Sequence, residues 1–228
     1  MDNTFSYTFG KLTSAQDNTI INKIYSYISM VLSGLSIGKD ENENEITDRF
    51  CKQLNINRPY ELPLYFHHQN LEDSKDGTST DFAVFETRPY ADMRASSKSL
   101  VKFEAKRLTP KLGKIREKEY VVGEYNNGVC IKNSGGIERF KNGRHGKDVE
   151  YAGIIGYIQY ETPDYWIEKV NGWIEEQIVK SSDKDLLWEK EDLLIDEPAD
   201  GKVSCYSSIS CRLSGKKIKF KHFWIEAR

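Results

Sequence analysis

Cysteine is scarce in this chain. Cys51, Cys130, Cys205 and Cys211 are the only four in 228 residues, and no two form a CxxC pair. That excludes a disulfide-built scaffold and leaves no zinc-ligand spacing. His67, His68, His145 and His222 form no HxH or HxxxH group either. Long apolar runs are missing: no stretch approaches the ~18 residues of a membrane-spanning helix, so no membrane partner is expected. The opening MDNTFSYTFG lacks a basic region followed by an apolar one, so no secretory signal is expected, and the four thiols read as reduced in a cytoplasmic protein. A charge excess is missing too. The 33 Lys+Arg against 35 Asp+Glu leave a net charge of −2, so any attraction to nucleic acid has to come from a local basic face.

What the sequence does have is enough apolar surface for a core. Hydrophobic residues make up 38% and aromatics 12%, which excludes a disordered chain. The length suits one domain with embellishments, without repeats or low-complexity tracts. Ile20, Ile21, Ile24, Ile28, Val31 and Leu32 recur at helical spacing over 18–35, ahead of Gly34. A second helix is predicted over about 41–54, with acidic residues in its first turn and Ile46, Phe50 and Leu54 on one face. Strands are predicted over 62–68, 81–86 and 98–108, with the turn-rich 72–80 as a loop. A hairpin is centred on Asn126-Asn127-Gly128. The spacing predicts a helix over 147–159, with Ala152, Gly153 and Gly156 as a small-residue side. Thr162-Pro163-Asp164 opens another helix, whose Trp166 and Trp173 belong to the core. The acidic 183–200 segment reads as surface, and a strand pair flanks Ser214-Gly215. The order implies an α/β protein of the α+β kind, a central mixed β-sheet flanked by helices.

Three Asp/Glu-x-Lys triplets occur, at Asp73, Glu104 and Asp200, and only Glu104-Ala-Lys106 lies inside an apolar strand, LVKFEAKRL. Alternation puts Leu100, Lys102, Glu104 and Lys106 on one face of that strand. A carboxylate and a lysine in a segment that wants burial cost desolvation free energy unless paired or metal-bound. Asp81 opens the preceding strand, DFAVF, and an acid there is placed to point at the same sheet edge. Two carboxylates from neighbouring strands make a hard oxygen site for Mg²⁺ or Mn²⁺. Such an ion polarises a phosphodiester oxygen and acidifies a bound water, and a lysine beside it holds the nucleophile and offsets developing charge. Taken alone, an acid-x-Lys triplet also arises by chance, and same-face Glu–Lys pairs are ordinary on half-exposed strands.

Asp81-Phe-Ala-Val-Phe followed, after 22 intervening residues, by Glu104-Ala-Lys106 resembles the PD-(D/E)XK nuclease superfamily, the restriction-endonuclease-like fold. Thr80 stands where that pattern often has proline. The resemblance covers about 43–108 and extends loosely to the segment near 147–159, as a core helix. It implies Asp81 and Glu104 as metal ligands and Lys106 as the water-orienting cation. It also implies an auxiliary Glu from the preceding helix, for which Glu43 fits best and Glu45 second, because Glu43 lies three and seven residues before Ile46 and Phe50. It further implies hydrolysis of DNA in restriction, phage defence or repair, with a homodimer as one arrangement. As a strand-borne residue, Lys106 is expected to contribute little to stability.

Seven basic residues against three acidic crowd 102–119, and further basic stretches occupy 132–147 and 212–228. Arg107, Lys111, Arg139, Arg144 and His145 are the candidate nucleic-acid contacts. The last three sit around the glycine-rich SGGIERFKNGRHG, ahead of an expected helix N-terminus. Two alternatives stay open: a nucleic-acid-binding module that does not cut, and a protein-interaction protein on the same fold.

Overall fold

The computed structural model describes residues 15–73, 77–87, 98–126, 129–180 and 186–228. A seven-stranded mixed sheet runs in the order β1-β2-β3-β6-β9-β8-β7. Strands β1 (Leu64–Asp73), β2 (Thr78–Glu86) and β3 (Val101–Leu108) form an antiparallel meander. The hairpin β4 (Glu124–Asn126) and β5 (Val129–Lys132) stands apart as its own small sheet. Strand β6 (Tyr151–Ile158) pairs parallel to β3, and β9 (Lys217–Glu226) pairs parallel to β6. Strands β8 (Val203–Cys211) and β7 (Ile195–Asp200) complete the sheet antiparallel.

Helices α1 (Ala15–Ser33) and α2 (Glu43–Ile56) cover one face, packing Ile24, Ile28, Phe50 and Leu54 on Phe82, Val84, Phe103 and Phe223. A short α3 (Gly113–Arg116) lies in the crossover after β3. Helices α4 (Gly136–Lys141) and α5 (Pro163–Lys180) cover the other face, where Phe140, Trp166 and Trp173 meet Ile154, Phe220 and Trp224. The expected mixed sheet flanked by helices is therefore present, and both tryptophans of α5 are core residues. Among the described residues no helix is long and apolar enough to cross a membrane.

Four expectations fail. Residues 151–158 are a strand, not a helix. Strand β6 lies inside the sheet with both faces covered, so it has no polar alternation to betray its period. Its glycines serve ring packing: a Cβ on Gly153 would come within 2.0 Å of the Phe103 ring, and one on Gly156 within 2.3 Å of the Trp224 indole. Strands β1 and β2 extend into the expected 72–80 loop, of which 74–76, with the Asp73 side chain and Lys75, fall outside the described residues. The acidic segment is not all surface, because Asp192 is fully buried against Lys141 at 2.8 Å. Leu100 precedes β3 and packs with the α1/α2 core, away from Lys102 and Glu104. The Asn127-Gly128 turn centre lies outside the described residues.

Candidate functional site

Strand β3 is paired with β2 only along Val101–Phe103. Beyond Phe82, β2 stays with β1, as Thr80 opposite Asn70 shows, so the edge of β3 from Glu104 onward is open on that side. An open edge leaves amide donors that need partners. Two carboxylates supply them. Ala105 N–H donates to Asp81 Oδ2 at 2.6 Å, and Arg107 N–H donates to Glu43 Oε2 at 2.9 Å. Glu43 is the first residue of α2, whose N-cap Asn42 accepts from the Asn44 amide at 2.9 Å. The Thr47 hydroxyl donates to the Glu43 carbonyl at 2.8 Å and lies 3.1 Å from the Tyr157 hydroxyl of β6, which ties this first turn to the sheet. Glu45, the second choice, is exposed.

Glu104 sits on the opposite face of β3 from Phe103 and is 1% exposed. Its Oε1 accepts from Lys106 Nζ at 2.8 Å and from Arg139 Nη1 at 2.9 Å. Its Oε2 lies 3.1 Å from His145 Nδ1, yet neither atom has a hydrogen-bond partner. Lys106 Nζ is also 3.7 Å from Glu43 Oε1. Burial pushes the Glu104 carboxyl up, but Lys106, His145 and Arg139 outweigh it and hold the group well below the usual carboxylate range. Burial pulls Lys106 down, and the carboxylates of Glu104, Glu43 and Asp81 more than reverse that, so it stays an ammonium. Asp81 goes the other way: burial, then Glu104, raise its carboxyl well above the ordinary value, against the pull of Lys106. Two neighbouring carboxylates are thus driven apart in acidity.

The sequence therefore names the residues that converge, Asp81, Glu104, Lys106 and Glu43, but misplaces the shell around them. Arg139 and His145, expected as phosphate contacts on flexible turns, surround Glu104 inside the fold. Arg139 projects from α4 and is held by Nε donating to the Asn133 carbonyl at 2.8 Å. His145 is 1% exposed, with Phe140 against its ring. The glycines that looked like a phosphate loop are a packing device. A Cβ on Gly135 would meet the Val122 backbone at 2.5 Å, and one on Gly136 the Tyr120 carbonyl at 2.8 Å. The expected helix N-terminus after them is absent, since β6 follows. Arg107 uses its amide at the site, while its side chain, by strand alternation, belongs to the α1/α2 face. Lys111 is exposed and paired with Asp40 at 2.8 Å and with the Tyr160 hydroxyl. Arg144 is exposed.

Much of the remaining basic charge is also matched internally. Arg116 meets Glu119, Lys118 meets Glu176, and Lys219 and Lys221 meet Glu150 and Glu197. Lys102, two residues before Glu104 on the same face, donates to Glu72 at 2.9 Å and Asp148 at 2.6 Å. Nothing local in the sequence signalled that cluster, because its three members come from different elements.

Asp81 and Glu104 are hard oxygen donors, and the buried Oε2 of Glu104 lacks a hydrogen-bond partner. That donor set fits Mg²⁺ or Mn²⁺, since Mg²⁺ is usually held by one or two carboxylates and keeps several waters. Among the described residues no three His, Cys, Asp or Glu side chains are grouped to hold a metal ion. Glu43, the third acid nearby, is turned to the Arg107 amide and Lys106. No family model, curated protein or solved structure matches this chain.

Proposed function

We propose that this chain is a metal-dependent nuclease with a restriction-endonuclease-like core, hydrolysing phosphodiester bonds, with DNA the first substrate to test. The observation that carries the proposal is the meeting of Asp81, Glu104, Lys106 and Glu43 where β2 leaves β3. Asp81 and Glu104 would hold Mg²⁺ or Mn²⁺, and when bound the ion supplies polarisation of a phosphodiester oxygen and a more acidic water. Lys106, kept as an ammonium by the acids around it, is a donor and not the base. It orients the attacking water and offsets charge on the phosphorane-like transition state. Glu43 positions Lys106 and fixes the Arg107 amide. Water adds to phosphorus and releases a proton to bulk solvent, the phosphorus–oxygen ester bond breaks, and the leaving alkoxide takes a proton back from solvent, so that one water is consumed per bond cut. Arg144, which is exposed, is the sequence-named cation we assign to flanking phosphates. A cytoplasmic role in restriction, phage defence or repair, with a homodimer to cut both strands, completes the proposal.

Purified protein incubated with plasmid, single-stranded DNA and RNA, each with Mg²⁺, Mn²⁺ or EDTA, tests it directly. Metal-dependent cleavage that Asp81→Asn abolishes is expected. Cleavage that survives Asp81→Asn, or none under any condition, ends the proposal. One observation favours a rival: most basic stretches are neutralised internally, as suits a protein that docks a protein partner on the same fold. Absence of both metal binding and cleavage would select that rival.

A further inference from the structure

Glu104 Oε1 carries two cations at once, Lys106 at 2.8 Å and Arg139 at 2.9 Å. Their burial differs. The Lys106 side chain is 9% exposed and the Arg139 side chain 25%. His145, on the other oxygen, is shut in at 1%. Of the three groups around this carboxylate, Arg139 is the most exposed. Its Nε and Nη1 are engaged, and Nη2 has no hydrogen-bond partner among the described residues. The guanidinium fork is also the side-chain group best matched to a phosphate, through paired donors. Glu104 and Glu43 by themselves already face two permanent cations, Lys106 and Arg139. A divalent ion beside them adds further positive charge, and departure of one cation offsets it.

We infer that Arg139 is a latch on Glu104. With neither metal nor nucleic acid bound, it neutralises Glu104. When nucleic acid arrives, its guanidinium passes to a backbone phosphate and leaves Glu104 to the divalent ion. Arg139 is thus a positioning residue that couples metal binding to substrate binding, and this inference rests on the nuclease proposal. By linkage, a phosphate that draws Arg139 away raises metal affinity, and metal raises affinity for the phosphate.

The test compares wild type with Arg139→Gln by calorimetric titration of Mn²⁺ in the absence of nucleic acid. Anisotropy of a short fluorescein-labelled DNA duplex in EDTA supplies a second readout, and circular dichroism checks the fold. Arg139→Gln is expected to bind Mn²⁺ about fivefold more tightly or better and the duplex about tenfold more weakly. Unchanged or weaker Mn²⁺ binding overturns the latch, and so does tighter Mn²⁺ with unchanged duplex binding, which is what a fixed neighbouring cation would give. If Arg139→Gln does not fold, Arg139→Lys decides, since it keeps the charge and loses the fork. Mn²⁺ affinity near wild type with weakened duplex binding supports the latch, and duplex binding equal to wild type overturns it. The two proposals fail differently. Wild type that cleaves while Arg139→Gln gains no Mn²⁺ affinity removes only the latch. Wild type that neither binds Mn²⁺ nor cleaves removes the nuclease proposal with it.

Discussion

A lysine inside a sheet survives only because acids surround it, and position 106 illustrates the exchange. From sequence, Lys106 reads as an ordinary strand cation of small energetic weight. Buried between Glu104 and Glu43, it instead offsets the desolvation of those carboxylates. Lys106→Ala should therefore cost about 3 kcal/mol or more in urea unfolding, as removal of one partner from a buried pair does. It should also lower cleavage by ~10² or more. A variant as stable as the parent would show the pairing to be of no consequence. Asp81→Asn should separate the two effects. The amide oxygen still accepts from Ala105 N–H, and burial already disfavours charge at this position. Thermal stability should be equal or higher while cleavage is lost, and a large fall in Tm would refute that division. At this scale the strand acids and the strand lysine were legible from their place on apolar strands, and the helix glutamate through the resemblance, with its spacing from Ile46 and Phe50 choosing Glu43. The Arg139 and His145 shell was not, since its distance from Glu104 in the chain is bridged only by folding.

Elements explain why that shell was misread. Helix α4 is short, and its place depends on close backbone approach at Gly135 and Gly136. It also depends on one ion pair, Lys141–Asp192, in which both side chains are essentially unexposed and to which Ser210 Oγ donates as well. Asp192→Ala should destabilise by roughly 3–5 kcal/mol through the lysine left charged in the core. Lys141→Met combined with Asp192→Leu should recover most of that in denaturant titrations. If the double variant is no better than the single one, the loss comes from packing and not from an unpaired charge. Helices α1, α2 and α5 and strands β8 and β9 announce themselves through one-sided patterns. Strand β6 does not, because a strand covered on both faces and an apolar helix look alike in sequence.

For the molecule as a whole, the sheet centre carries a buried polar chain that sets an acid limit. His222 on β9 is unexposed, its Nδ1 2.8 Å from the Tyr120 hydroxyl and its Nε2 3.0 Å from Ser208 Oγ, while the Trp224 indole donates to Tyr120 at 2.8 Å. Burial, with a smaller push from Lys221, lowers its pKa to about 3. The unfolded chain then binds the proton that the folded one refuses. The contribution is whole above about pH 6.5 and fades as pH falls toward 3, a span worth roughly 5 kcal/mol. Urea unfolding at pH 7, 5 and 4 should show that decline, and His222→Gln should flatten it. Equal stability at pH 4 and pH 7 would contradict it.

The sequence by itself determined the class of fold, most of the helices and strands, and the Asp81, Glu104 and Lys106 positions at β3, because those depend on short-range periodicity and on which residues tolerate burial; Glu43 was added by the resemblance. Only the tertiary structure decided which cations meet which acids. Arg139, His145, Lys102 and Lys141 read as free basic surface until distant elements bring Glu104, Glu72, Asp148 and Asp192 to them. Electrostatic pairing acts over a few ångströms of space and is indifferent to separation along the chain.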